Sequence, residues 1–373
     1  MASDRAAQVD ELYRQGSEAF RAARYADASQ CAERAIALEP DLAALHFLLG
    51  SARLELDDLA AADAAFSACL ALRPKYPMVL YAQARGAIAR ARAGAAHGRV
   101  PRLTPRDPGD RRSVSVIICS VRPERFEKVC ANYRGLLRDV PHEIVGINDA
   151  RSLCEGYNRG IRRSSGEILV LSHDDVEIMT PDFAAKLFAH LADHDLVGIA
   201  GTTRLISGNW IDAGWPHLHG QIGSQIHKPG SLIVTAYQIS GATVPGAQAL
   251  DGAFLAMRRE VFEQVQFDEK TFDGWHLYDL DFVFSAHLAG LRIAVCNDLC
   301  LIHNSIGAYA EKWDYYVRRF VDKHRGRLQR GEKAPRAEPF WLEMGSPTEW
   351  LLVTEEMIAQ PVRGLETATS APT

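Results

Sequence analysis

The sequence has little that would take it into or across a membrane. Its longest apolar stretches, such as residues 168–171 and 291–296, are far shorter than the roughly 20 residues that span a bilayer. The first residues are polar and contain no apolar core of an export signal. Seven cysteines are present, an odd number with no CxxC pair, so neither a disulfide framework nor a zinc knuckle is indicated. We therefore expect a cytoplasmic protein without a transmembrane segment, either free or peripheral at the inner membrane face.

The chain also lacks the marks of nucleic-acid and of phosphate-loop proteins. Lys and Arg total 42 against 47 Asp and Glu, the net charge is -5, and the basic residues are spread along the chain. A nucleic-acid partner is therefore not expected. There is no GxxxxGK[ST] loop, and no GxGxxG follows the first predicted strand. A glycine-rich loop at a helix N-terminus is thus excluded as the means of holding phosphates.

What the sequence does contain, in residues 1–93, is a helical repeat. Three pairs of residues recur 34 positions apart: Gly16 and Gly50, Ala28 and Ala62, Pro40 and Pro74. This period and these residue types resemble tetratricopeptide (TPR) repeats, which are pairs of antiparallel helices. We expect two repeats and a capping helix over residues 76–93. Partner binding at the repeat surface and pure structural packing both stay open.

Residues 94–112, rich in Pro, Gly and Arg, are predicted to be a linker, and residues 113–330 alternate strand and helix patterns. Such alternation predicts a parallel sheet covered on both faces, with ligands beyond the carboxyl ends of its strands. The ends of three predicted strands carry polar residues: Ser120 with Arg122, Asn148 with Asp149, and residues 173–177. Residues 331–373 are expected to be a partly disordered C-terminal extension.

The third of these strand ends, ILVLSHDDVEI, puts Asp174, Asp175 and Glu177 directly after a buried apolar run. Carboxylates there would repel a diphosphate unless a divalent cation lay between them, and Mg²⁺ or Mn²⁺ suits oxygen ligands. Side chains alternate along an extended chain, so Asp174 and Asp175 should diverge while Asp175 and Glu177 share a side.

From Ser113 to about residue 307 the sequence resembles the inverting family 2 glycosyltransferases of the GT-A fold, with a Rossmann-like donor half and an acceptor half. The resemblance implies that a first group of residues binds a nucleotide sugar: Ser120, Arg122, Asp149, Asn158, Gly160 and Asp174. It also implies a metal held principally by Asp175, then by Asp174 and by His303, although His303 could also be a core or loop histidine. His173 stands where the family usually has its first acidic residue.

The downstream half carries the acceptor side and the base. The resemblance implies acceptor-side roles for Asp251, Gly252 and Trp275, and Glu177 is assigned there or to structure. In HLYDLDF, Asp279 occupies the position of the catalytic base and Asp281 is the second candidate, while Tyr278 replaces the usual glutamate. Aspartates in a first helical turn are also explained by capping and the helix dipole alone.

These residues imply an Mn²⁺- or Mg²⁺-dependent hexosyltransferase. It would move a sugar from a nucleotide diphosphate, with UDP expected first, to a hydroxyl of a glycan or protein, with inversion. Two alternatives stay open: a non-catalytic TPR scaffold with a degenerate GT-A domain, permitted by His173 and Tyr278, and a sugar nucleotidyltransferase. The latter usually has a glycine-rich, arginine-containing loop after its first strand, which CSVRPERF lacks.

Overall fold

The computed structural model describes residues 2–73, 77–107, 109–225, 231–305, 311–329 and 339–359. Pro74, Tyr76 and the predicted disordered end of the tail lie outside these ranges. The chain divides into two compact units, one of residues 1–100 with 352–373 and one of residues 101–351. No helix in the described ranges combines the length and the apolar character that crossing a membrane requires.

The first unit is helical. Its N-terminal part comprises α1 (Ala2–Arg21), α2 (Tyr25–Leu38), α3 (Ala43–Glu55), α4 (Leu59–Leu72) and α5 (Pro77–Ala96). The α1–α2 and α3–α4 turns each contain a residue with positive φ, Ala23 at 55° and Asp57 at 58°, again 34 positions apart. The 34-residue spacing of the sequence therefore recurs in these two turns of the backbone, and the assignment to TPR repeats stays a prediction.

Small residues set the close approach of these helices. A Cβ on Gly50 would lie 2.6 Å from the ring of Phe66 in α4, and a Cβ on Gly16 would lie 3.0 Å from Leu48. The unit also includes the end of a C-terminal helix, where Arg90 pairs with Glu356 at 2.8 Å and with Asp63 at 2.8 Å. Part of the segment predicted as an extension is thus ordered and belongs to the helical unit.

The second unit is an α/β domain. Its first half comprises β1 (Val114–Cys119), α6 (Pro123–Leu136), β2 (His142–Ile147), α7 (Leu153–Arg162), β3 (Ile168–Ser172), β4 (Val176–Ile178), α8 (Phe183–Asp193), β5 (Leu196–Gly198), β6 (Ala200–Thr202), a 3₁₀ turn (Trp210–Ala213) and β7 (Leu218–Ser224). Its second half comprises β8 (Leu232–Ala236), β9 (Thr243–Pro245), β10 (Ala249–Leu250), β11 (Phe254–Arg258), α9 (Arg259–Gln264), α10 (Tyr278–Leu288), β12 (Ile293–Cys296), β13 (Leu301–His303), α11 (Glu311–Lys323) and β14 (Phe340–Met344). The helix α12 (Pro347–Ala359) starts in this unit and ends in the helical one.

The described strands form two sheets. The first has the order β2-β1-β3-β11-β5-β12-β9. The second has the order β10-β6-β7-β13-β4, and in addition β8 pairs with β7 and β14 pairs with β8. Strands β1, β2 and β3 are parallel as predicted, but β11 is antiparallel to both β3 and β5, and β9 is antiparallel to β12. The expectation of a parallel sheet is therefore wrong in its second half, because β11 and β9 do not follow the strand–helix–strand crossover that makes neighbours parallel.

The first sheet is covered on both faces, as predicted. Along β1, Val116 and Ile118 contribute to one apolar cluster and Ile117, between them, to another, because successive side chains point to opposite faces. Residues of β3 divide in the same way. The fold class expected from the sequence, a helical N-terminal region followed by an α/β sheet domain, is confirmed.

Candidate active site

Three segments of chain meet beyond the end of β3. The backbone N–H of His173 donates to the carbonyl of Ala253, which extends the pairing of β3 with β11 by one step. The strand β13 pairs with β4 so that His303 lies opposite Val176. The residues after β3, before β11 and at the end of β13 therefore converge on one place, although they are up to 130 positions apart.

His173, Asp175 and His303 form the centre of this place. His173 Nδ1 lies 3.2 Å from His303 Nε2, and His303 Nε2 lies 3.3 Å from Asp175 Oδ1. One donor atom from each residue lies within 4.8 Å of the others, close enough for all three to hold one ion. Two imidazole nitrogens and a carboxylate fit a first-row transition ion such as Mn²⁺ better than Mg²⁺, which prefers oxygen ligands alone. Sequence reasoning proposed Asp175 and His303 for such a site and did not propose His173.

The three groups of this cluster have shifted pKa values. Burial raises the pKa of Asp175, but the contact with His303 outweighs burial and holds it below its ordinary value. Burial also lowers the pKa of His303, yet the same contact raises it overall. For His173, burial and then the charge of His303 lower the pKa to about 4, so this imidazole is neutral at physiological pH. Asp175 and His303 therefore each favour the charged form of the other.

The side chain of Asp174 contacts the residue that follows β1. The hydroxyl of Ser120 donates to Asp174 Oδ2 at 2.6 Å, so these two predicted donor-binding residues are in contact. Arg125, in the first turn of α6, places Nη1 3.7 Å from Asp174 and 3.4 Å from Asp175. Arg125 was not a predicted site residue. Its position in RPERF, directly after the first strand, is the signal that could have identified it.

The other wall is built from the start of α10 and the residues before β11. Leu277 has φ of 60°, a left-handed conformation that is uncommon for a non-glycine residue. Next to it, Tyr278 hydrogen-bonds His173 Nε2 at 2.6 Å and donates to the carbonyl of Gly252 at 3.0 Å. A Cβ on Gly252 would come within 2.2 Å of the Tyr278 hydroxyl and 2.7 Å of the Asp279 carboxylate, so only glycine fits there.

Asp279 is poised to exchange a proton near neutral pH. Burial and then the neighbouring charge of Asp251 raise its pKa to about 7, and backbone N–H groups, including that of Gly252, offset only part of the effect. Asp251 itself accepts from the N–H of Ala253 at 3.0 Å. The predicted base and two predicted acceptor-side residues are therefore side by side.

Asp281 has different surroundings. It is 2% exposed, and its two oxygens are bound by Lys323 Nζ at 2.8 Å and by His324 Nε2 at 2.7 Å. Both partners come from the end of α11 and the residue after it. The side chain therefore fastens α10 to α11, a role that requires no catalysis and favours Asp279 over Asp281 as the base.

The remaining predicted donor-binding residues are mostly engaged inside the domain. The Asn158 side chain bonds the backbone N–H and carbonyl of Phe267, and a Cβ on Gly160 would lie 2.4 Å from Ile117. These two contacts join α7 to its neighbours, and a donor-binding role for either residue stays a prediction. Arg122 precedes α6, and its backbone N–H donates to Ser120.

Three predicted residues lie on the surface. Asp149, after β2, is exposed and pairs with Arg159 at 2.8 Å, which holds the pKa of its carboxyl below the ordinary value. Glu177 pairs with Lys128 at 2.8 Å rather than joining the histidine cluster. Trp275, just before α10, is 51% exposed and offers an aromatic face to solvent. A sugar or base contact by any of them stays a prediction.

One known protein family matches the α/β domain. Residues 115–324, more than half of the chain, match the model of a family described as "Glycosyltransferase like family". No curated protein matches the chain. The matched range contains the histidine cluster, Tyr278 and Asp279.

Similar solved structures include two transferases. One is the mannosyltransferase PcManGT from Pyrobaculum calidifontis in complex with GDP-Man and Mn²⁺, with 15% identity, a TM-score of 0.39, and coverage of 80% of this chain and 87% of that one. The other is GalNAc-T7 with UDP, GalNAc and Mn²⁺, with 13% identity, a TM-score of 0.37, and coverage of 58% and 48% respectively.

Proposed function

The chain belongs to the glycosyltransferase-like family and is a glycosyltransferase. We propose that it transfers a sugar from a nucleotide-diphosphate sugar to a hydroxyl of a glycan or protein, with inversion and with a divalent cation. The observation that carries this proposal is the meeting of His173, Asp175 and His303 at the carboxyl end of β3, where Tyr278, the residue before Asp279, contacts His173.

The cation, when bound, supplies positive charge against the charge that develops on the leaving diphosphate. The protein side of the reaction uses the residues around it. We propose that Asp279 accepts the proton of the acceptor hydroxyl as that oxygen attacks the anomeric carbon. Its raised pKa suits this role, because a base works best when its pKa is near the working pH. Arg125, already beside both aspartates, would face the phosphates.

The two imidazole ligands favour Mn²⁺ over Mg²⁺ in this proposal. We keep a uridine nucleotide as the expected donor, with Asp149 near its base and Asp174 on the metal or the ribose. The acceptor would approach over Asp251, Gly252 and Trp275. The helical unit is proposed to be a TPR module that either binds a protein partner or stabilises the chain.

A thermal-shift experiment followed by a turnover assay tests this function. The protein is heated with UDP, GDP and their sugar conjugates, each with Mn²⁺, Mg²⁺ or EDTA, and release of nucleoside diphosphate is then measured with a panel of glycan and peptide acceptors. Asp175→Ala is the test variant. Asp139→Ala, which removes a 79% exposed aspartate of the same unit, is the control.

We expect stabilisation by a nucleotide diphosphate in the presence of Mn²⁺, and turnover that Asp175→Ala abolishes and Asp139→Ala leaves intact. Stabilisation that is the same in EDTA would refute the metal site. Nucleotide binding with no sugar consumed on any acceptor would favour the non-catalytic scaffold instead.

A further inference from the structure

Tyr278 joins two features of the site that lie 105 positions apart in the sequence. Its hydroxyl is 2.6 Å from His173 Nε2 and 3.0 Å from the carbonyl oxygen of Gly252. The phenol is buried, and its ring packs 6.2 Å from the imidazole, so the contact is held in place by packing as well as by hydrogen bonds. The direction of each hydrogen bond depends on the positions of the phenolic proton of Tyr278 and the ring proton of His173.

The hydrogen-bonding capacity of each group determines these positions. A carbonyl oxygen can only accept, so the single phenolic proton of Tyr278 must point to Gly252 for that contact to be a hydrogen bond. The phenolic oxygen then faces His173 Nε2 with a lone pair, and a 2.6 Å contact requires a proton between them. That proton belongs to His173, which therefore has its N–H at Nε2.

A neutral imidazole with its proton on Nε2 has a lone pair on Nδ1. This is the atom that lies 3.2 Å from His303 Nε2 and faces the point shared with Asp175. The opposite tautomer would put an N–H toward the ion position and leave no ligand there. Ligating histidines commonly donate their second nitrogen to an acceptor, which fixes the ring and its tautomer.

We propose that Tyr278 is a positioning residue of the metal centre, which holds His173 in the Nε2–H tautomer so that Nδ1 can bind the ion. This inference rests on the metal site of the proposed function. His173 and Tyr278 were the two departures from the family pattern, and their contact makes them one unit: the phenol takes the proton of the imidazole, and the imidazole is the ligand. Gly252 completes the unit, because any side chain there would displace the phenol.

Two measurements on the full chain test the inference. Long-range ¹H–¹⁵N spectra of the histidine rings, recorded without metal and assigned with a His173→Gln variant, report the tautomer of His173. Mn²⁺ titration by calorimetry then gives the affinity of the wild type and of Tyr278→Phe. The control is Tyr157→Phe, which removes another buried phenol whose ring is 5.8 Å from that of Tyr278 and whose hydroxyl bonds Ser172.

We expect the Nε2–H tautomer in the wild type, and a loss of about 10- to 100-fold in Mn²⁺ affinity in Tyr278→Phe with little change in Tyr157→Phe. His173 found as the Nδ1–H tautomer, or Tyr278→Phe with unchanged Mn²⁺ affinity, would overturn this inference alone. A wild type that has the Nε2–H tautomer and binds no Mn²⁺ would overturn the metal site of the proposed function, and the inference with it.

Discussion

The raised pKa of Asp279 gives a test that covers both stability and catalysis. In the folded protein, burial and the neighbouring Asp251 raise the pKa to about 7 from an ordinary value of 3.8. The folded state therefore binds a proton that the unfolded chain has already released between pH 4 and pH 7. Stability should fall as the pH rises through this window, because the unfolded state there binds fewer protons than the folded state.

The size of the effect follows from the gap between the two pKa values. A gap of roughly three pH units, at about 1.4 kcal/mol per unit, sets an upper limit of about 4 kcal/mol. Asp279 is intermediate in exposure, so solvent screening reduces this to about 2 kcal/mol. The Asp279→Asn variant has no proton to lose. Relative to the wild type, it should gain that amount of stability between pH 4 and pH 8.

Urea unfolding in EDTA at pH 4, 6 and 8 measures this difference for the two proteins. The turnover assay measures the second consequence, because a base works only when ionised. Wild-type kcat/KM should fall about tenfold per pH unit below pH 7, and Asp279→Asn should lose activity at every pH. Asp251→Asn, which removes one cause of the shift, should move the turnover profile to lower pH.

Two results would refute this reasoning. One is a stability difference between wild type and Asp279→Asn that does not change with pH, which would mean that the carboxyl has an ordinary pKa. The other is an Asp279→Asn variant that keeps wild-type kcat/KM, which would remove Asp279 as the base even if its pKa is raised.

Two further substitutions test packing away from the reacting groups. Gly50→Ala should destabilise the helical unit by about 1–2 kcal/mol in urea unfolding, because the new Cβ would lie 2.6 Å from the Phe66 ring, whereas Gly86→Ala in the same unit, with no atom closer than 3.4 Å, should be neutral or stabilising. Asp281→Asn should lower the free energy of unfolding by about 3 kcal/mol, because it weakens the ion pairs with Lys323 and His324. The kcat/KM of the folded variant should stay within a few-fold of the wild-type value. A loss of activity without a loss of stability would instead make Asp281 a candidate base again.

The sequence predicts most of the fold because local patterns determine most of it. The 34-residue period reflects helix contacts that require small residues, as the approach of Phe66 to Gly50 demonstrates. The run of apolar residues ending at Ser172 forms a strand buried on both faces. The direction of β11 could not be predicted in this way. Its pattern of buried residues is the same whether it runs parallel or antiparallel to β3, and only the route of the chain decides.

The site was predicted less completely, since its geometry depends on contacts between distant segments. Asp175 and His303 were proposed, and they lie together because β13 pairs with β4 in one particular register. The role of His173 could not be predicted, because its position after a strand does not show which groups its imidazole contacts. Asn158 and Gly160 match a donor-binding pattern, and their contacts in the fold are with the backbone of Phe267 and the side chain of Ile117, so their donor-binding role stays a prediction.

The excess of negative charge after β3 has a different explanation for each carboxylate. Asp174 accepts from Ser120. Asp175 faces His303 and Arg125. Glu177 pairs with Lys128 outside the cluster and therefore needs no ion. Among these carboxylates, Asp175 is the one in contact with an imidazole, and one ion could be shared between the two groups. The candidate ion site therefore consists of one carboxylate and two imidazoles rather than of an acidic cluster. In the proposed function, this donor set favours Mn²⁺ over Mg²⁺.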